Sequence, residues 1–231
     1  MIRRTVFATD VESTRYALNG LLVEIEGNKV SLVGTDGRRL AVMRGTGTAV
    51  GGHSTRDFTP VVPSKAMNLL DRTLQAEEEE VHVALQPSKV IVRTQQVVIS
   101  SRLVEGRFPR YQEVFPSRSE VTVSLNVKDL LQATRQAAIV TSEESRGVDY
   151  TFAEGKLTLV AKAAEVGQSQ VEMPISFDAK DVSITFDPRY LVDMLRVLNE
   201  ESTVTLDLID HQSAAVFRTD DGYTYIVIPL T

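Results

Sequence analysis

Cysteine is absent from the 231-residue sequence. That excludes disulfides, zinc–thiolate centres and thiol catalysis, and it suits a reducing interior. No apolar run approaches the ~18 residues that a bilayer-spanning helix needs. The opening Met1-Ile2-Arg3-Arg4 lacks the apolar core of a signal peptide. The default expectation is a cytoplasmic protein with no membrane partner. Catalytic and metal motifs are missing as well. His53, His82 and His211 are isolated and fit no H-x-x-x-H pair, and no G-x-S-x-G motif occurs. The glycine-rich run from Gly45 to Gly52 lacks the Gly-Lys-Ser/Thr ending of a phosphate loop, so it reads as a connector. Glu77–Glu80 sets carboxylates side by side in a helix-to-strand loop, where adjacent residues do not converge on one metal. The expectation is a non-enzyme with no metal and no cofactor.

What is present is an ordinary globular composition, 42% hydrophobic and 24% charged, with a formal net charge of -6. Its length allows one or two domains with a good core. Short β-rich runs dominate, and several alternate apolar with polar residues as half-buried antiparallel strands do. Gly27-Asn28, Glu154-Gly155 and Asp220-Asp221-Gly222 lie between neighbouring runs as hairpin turns. The patterning predicts helices over Ile2–Thr9, Ser64–Leu74 and Val127–Ile139, and from Pro188 to about Leu198. Asn126 reads as an N-cap for the third. Asp187 followed by Pro188 is a strong start signal for the fourth. Leu130, Leu131 and Thr134 face inward, as do Leu191, Met194, Leu195 and Leu198, and as do Met67, Leu70 and Leu74.

Each of the last three helical stretches carries a pair of cations seven residues apart: Lys65 and Arg72, Lys128 and Arg135, Arg189 and Arg196. Seven residues bring a helix back to the same face about 10 Å further on. With Asp193 counted, these faces sum to about +5 within an acidic chain. Positive charge gathered on repeated helix faces points to an anionic polymer as partner, although a plain solvated helix face has the same composition. The order helix, hairpin, strands, loop, strand, helix, three strands runs from 1 to about 116 and recurs from about 120 to 231. Each copy is itself doubled, and the cation pairs fall at equivalent places in the unit. The Pro/Ser-rich stretch 115–119 separates the copies, which gives expected domains of 1–115 and 116–231.

Further segments are more specific. They are Tyr16-Ala17-Leu18-Asn19-Gly20, the turn Gly34-Thr35-Asp36-Gly37-Arg38-Arg39-Leu40-Ala41-Val42, the Pro-bounded Gly106-Arg107-Phe108-Pro109-Arg110-Tyr111-Gln112-Glu113-Val114-Phe115-Pro116, and the terminal Tyr225-Ile226-Val227-Ile228-Pro229-Leu230. Together they resemble the bacterial DNA polymerase sliding clamp, the beta subunit of DNA polymerase III. The resemblance runs from end to end and covers the family's second and third domains. It implies that the first domain is absent here and that the middle domain lacks its opening strand. The alternative is a non-catalytic α+β scaffold or ligand-binding protein that shares only the strand pattern.

The resemblance implies an α+β DNA-clamp fold, with repeated domains of two helices packed on antiparallel sheets. It implies a non-catalytic processivity factor, a ring of subunits closed around duplex DNA without base readout. Lys65, Arg72, Lys128, Arg135, Arg189 and Arg196 would face the DNA, with Arg3, Arg4 and Tyr16 as further candidates. It also implies a hydrophobic groove between the two domains for short linear motifs of the replicative polymerase, the clamp loader and repair polymerases. That groove would draw on Leu18, Thr35, Gly37, Arg38, Arg39, Leu40, Pro109, Val114, Ile226, Val227, Ile228, Pro229 and Leu230. Arg38 stands where the family often has His, Glu113 where a basic residue is common, and Pro229-Leu230-Thr231 where a longer Pro-Met-x-Leu is usual, so an altered peptide preference is expected. Ile139 and Val140 match the subunit interface of the family's third domain. Their usual partner is the first domain, which puts ring closure by this chain alone in doubt.

Overall fold

Alternation of apolar and polar residues becomes antiparallel strands throughout the computed structural model, which describes residues 1–10, 12, 17–74 and 80–231. They belong to two compact units, Met1–Tyr111 with Asp221–Tyr223, and Gln112–Asp220 with Thr224–Thr231.

The first unit opens with two 3-10 turns, Ile2–Arg4 and Val6–Ala8. The α-helix expected over Ile2–Thr9 does not form. Thr5 breaks it with φ -129°, and its hydroxyl donates back to the carbonyls of Met1 and Ile2. Such local bonding by a β-branched hydroxyl residue competes with helix propagation. A meander follows of β1 (Gly20–Glu26), β2 (Lys29–Thr35) and β3 (Arg39–Thr46), and β4 (Val61–Pro63) pairs with β1 in the order β4-β1-β2-β3. β4 was not legible in the sequence, being three residues long and ending in proline. Helix α1 (Ser64–Thr73) leads to a second meander, β5 (His82–Leu85), β6 (Lys89–Arg93) and β7 (Val98–Arg102). Met67 and Leu70 of α1 pack with Leu21, Val23, Leu32, Val62, Leu85, Val90 and Val92 as the core of this unit. Burying a Leu or Val side chain of this kind stabilises by about 1.5–3 kcal/mol each.

The turn between β2 and β3 is held by its own side chains. Gly37 takes φ +88°, a left-handed conformation that a residue with a Cβ adopts at a cost. Asp36 Oδ1 accepts the backbone N–H of Arg38 at 2.9 Å and that of Arg39 at 3.0 Å. The Thr35 hydroxyl accepts from the Gly37 N–H and donates to the Arg39 carbonyl. This is the aspartate-turn chemistry that the sequence suggested.

The second unit repeats the plan: β8 (Val121–Asn126), α2 (Val127–Ala137), then β9 (Val148–Ala153), β10 (Lys156–Ala163) and β11 (Gly167–Pro174). Next come β12 (Val182–Phe186), α3 (Pro188–Leu195), β13 (Thr203–Leu208), β14 (Ala215–Arg218) and β15 (Tyr223–Val227). Its strands run β11-β10-β9-β12 and β15-β14-β13-β8. Opening strands pair across the doubled halves, β8 with β13 and β12 with β9. Asn126 caps α2 by accepting from the Asp129 N–H at 3.1 Å. Asp187 caps α3, with Pro188 in the first turn.

Leu130, Leu131 and Thr134 are buried, and so are Leu191, Met194, Leu195 and Leu198. α2 packs on α3 and against β10 and β11. Aromatic rings fill the space beneath, with Tyr150 edge-on to Phe186 at 5.4 Å. The regular part of α2 stops two residues before Ile139, where Ala138–Val140 tightens into a 3-10 turn. Among the described residues no helix is long and apolar enough to cross a membrane.

Candidate functional site

The period of the helices decides where their cations go. In α1 the inward stripe is Met67 and Leu70, which turns Lys65 and Arg72 outward, and both are exposed. In α2 the buried stripe leaves Lys128, Gln132 and Arg135 on the open face. In α3 Arg189 and Arg196 are exposed, with Arg196 at the C-cap still in helical conformation. A cation at a helix C-terminus is also favourable toward the helix dipole. Each pair therefore shares one exposed face, about 10 Å apart along its axis.

The cations differ in what they already hold. Among the described residues, Lys65, Arg72, Lys128, Arg135 and Arg196 have no ion-pair partner. Arg189 does: its Nη2 lies 2.6 Å from Oδ2 of Asp187, and its Nε bonds the same carboxylate. That contact raises the Arg189 pKa above its ordinary value, the carboxylate hydrogen bond being the largest cause. Arg3 bonds Asp71 through Nε at 2.9 Å, and Arg4 pairs with Asp221 and stacks over the Tyr223 ring. Tyr16 lies outside the described residues, as do Glu77–Glu79 of the acidic run. The sequence reading missed all three pairings. A signal existed only for Arg189, since an N-cap aspartate two residues before an arginine lets the two side chains meet. The others join positions 68 and 217 residues apart.

The residues that the resemblance assigns to peptide docking fall in both units. In the first, Leu18, Thr35 and Leu40 are buried, Gly37 and Arg38 are exposed, and Pro109 is half-buried. Arg39 is fixed by Asp36 at 2.9 Å, by the Phe7 carbonyl at 3.0 Å and by the Phe7 ring, so it holds the turn in place. Tyr111, three residues before Val114, closes the first unit by donating its hydroxyl to Glu24 at 2.6 Å and packing edge-on against Phe108. In the second unit Ile226, Val227 and Pro229 are buried, while Ile228 is 48% exposed and Val114 45% exposed. Ile228 and Val114 are thus the apolar members of that set with most surface to offer a ligand. Leu230 is half-buried, and its N–H bonds the Thr185 carbonyl. Ile139, matched to the subunit interface, is 77% exposed beside half-buried Val140. Among the described residues no three His, Asp or Glu side chains gather as a metal site.

Sequence and fold both match a known family. The family model for the DNA polymerase III beta subunit, central domain, matches residues 1–110, and that for its C-terminal domain matches residues 112–231. The beta sliding clamp of Vibrio cholerae is 31% identical over 232 aligned residues, covering 100% of this chain and 62% of that protein. The beta sliding clamp of Chlamydia muridarum is 28% identical, with the same coverage of 100% and 62%. A crystal structure of the Pseudomonas aeruginosa DNA polymerase sliding clamp superposes with a TM-score of 0.91 at 30% identity, over 100% of this chain and 63% of that one. The chain thus spans 54–62% of the length of such curated relatives. Its α+β architecture of few helices and antiparallel sheets is that of the clamp domains. The chain belongs to the DNA polymerase III beta-subunit family.

Proposed function

We propose that this chain serves as part of a DNA sliding clamp, a non-catalytic processivity factor acting in the cytoplasm. The observation that carries the proposal is the recurrence of exposed cation pairs on α1, α2 and α3, each opposite a buried stripe, in a chain whose net charge is -6. Phosphates are the partner such faces fit. Their attraction is sequence-independent and falls with salt, because each neutralised phosphate releases condensed counterions. Contacts of that kind position a duplex without reading it and let it move. A ring needs nothing tighter, since closure rather than affinity retains the DNA.

Peptide docking is the second part of the proposal. Val114 and Ile228 supply exposed apolar surface, and the turn at Thr35–Leu40 and the tail at Leu230 supply backbone groups fixed in place. Both suit a short hydrophobic motif from a polymerase or clamp loader. Ile139 and Val140 are proposed as subunit-contact residues because they match the family's interface position, and Ile139 is exposed enough to meet a neighbour.

Binding of unrelated duplex sequences to the chain tests the first part. The proposal expects equal affinities for them that weaken together as salt rises. Affinity that depends on sequence, or that ignores salt, contradicts it. Docking is tested with a Gln-Leu-x-Leu-Phe-like peptide, whose binding should weaken on Leu18→Ala or on truncation at Pro229. Binding indifferent to both changes counts against the assignment. Encirclement is tested by retention on closed circular but not linear DNA with the family's first domain supplied, and equal retention on both then contradicts it.

A further inference from the structure

We infer that Asp187 holds Arg189 out of the cationic set, so that α3 presents a polyanion with Arg196, which has no ion-pair partner among the described residues, and one fixed, charge-compensated guanidinium. The inference rests on the DNA-facing reading of the helices and sharpens it. Asp187 Oδ1 accepts the Arg189 backbone N–H at 3.0 Å and its Nε at 3.0 Å, while Oδ2 accepts Nη2 at 2.6 Å. The carboxylate is 3% exposed and the arginine side chain 58% exposed. One end of the pair is therefore buried and the other open to solvent.

Burial makes the pairing obligatory. Asp187 follows Phe186, which packs on Tyr150 in the aromatic core. If Arg189 swung away to meet a phosphate, the carboxylate would keep only the N–H of its own cap. A buried charge stripped of its partner is strongly unfavourable, whereas an exposed phosphate contact gains little in water. The chelate is also short and preformed, since Pro188 fixes the backbone between cap and arginine. The equivalent cap positions carry no negative charge: Pro63 precedes Lys65 by two residues, and Asn126 precedes Lys128 by two. Asp187 gives α3 a carboxylate at a cap where the other two helices have none, and Asp193 adds a second acidic residue between its two cations. Asp187 acts as a positioning residue that leaves a gap in an otherwise cationic surface.

The slope of log affinity for a short duplex against log salt reads this directly, using the full chain. Each phosphate released from contact lowers the slope by about 0.9. Arg196→Gln should lower it by that amount, and Arg189→Gln should change it by less than about 0.3. Asp187→Asn keeps a capping oxygen and frees the guanidinium, so it should steepen the slope by up to about 0.9. The double variant Asp187→Asn/Arg189→Gln leaves no orphaned charge and should return the original slope, which keeps the test decisive if either single variant unfolds. Equal losses for Arg189→Gln and Arg196→Gln overturn the inference alone. A complete lack of salt-dependent binding by the unsubstituted chain overturns the DNA-facing reading and this inference with it.

Discussion

Replacing Lys128 and Arg135 together by glutamine removes both cations from the open face of α2 and leaves its buried stripe alone. Both residues are exposed, and neither has an ion-pair partner among the described residues. Glutamine is nearly as good a helix former as lysine or arginine, so stability should move by less than about 0.5 kcal/mol. The electrostatic effect is much larger. Two lost phosphate contacts flatten the log–log salt dependence by about 1.8. Between 50 and 200 mM salt each contact accounts for a change of about 3.5-fold, so the pair accounts for about 12-fold. Fluorescence anisotropy with a labelled duplex at several salt concentrations gives the slope. Lys162→Gln is the control, an exposed cation in the same unit on β10, where Ala161 and Ala163 face inward. Its slope should match that of the unsubstituted chain. An unchanged slope for the double variant, or an equal drop for Lys162→Gln, means that bulk charge rather than the helix face governs the attraction.

Other outcomes follow from the same structure. Asp36→Ala removes the acceptor of two backbone N–H groups and the partner of Arg39. It should cost about 1–3 kcal/mol in urea unfolding, and a loss near zero means the turn does not depend on it. Gly37→Val forces a branched side chain into φ +88° and should destabilise by about 1–2 kcal/mol, while Gly37→Asn should recover much of that. Leu130→Ala, at 1% exposure between α2 and its core, should cost about 2–5 kcal/mol with an unchanged denaturant slope. Ile228→Asp places a charge on an apolar side chain that is 48% exposed. It should weaken the hydrophobic peptide about tenfold or more while leaving the salt dependence of duplex binding as it was.

Periodicity carried the regular elements because burial and pattern are the same fact at two scales. The α2 stripe of Leu130, Leu131 and Thr134 could be read off the chain, and the caps at Asn126 and Asp187 marked where the helices start. The segment 2–9 failed because one hydroxyl at Thr5 outweighs a weakly helical pattern, and no periodicity registers that competition. Strand β11 begins at Gly167, before the apolar run at Val171, because an edge strand tolerates Gln168, Ser169 and Gln170. The cationic residues were legible as residues, but their partners were not. Whether Arg3 meets Asp71 depends on tertiary placement, and whether Arg189 is available depends on how deeply Asp187 is buried. Spacing hints at the Asp187–Arg189 contact but encodes neither its burial nor the tertiary pairing of Arg3.

Lysine acetylation footprinting on the duplex-bound chain separates contact by the helix faces from diffuse attraction. DNA should protect Lys65 and Lys128, on the open faces of α1 and α2, and leave Lys29, Lys89, Lys156, Lys162 and Lys180 as reactive as in the free chain. Uniform protection of all these lysines, or protection of the strand and loop lysines with Lys65 and Lys128 still reactive, contradicts contact by the helix faces.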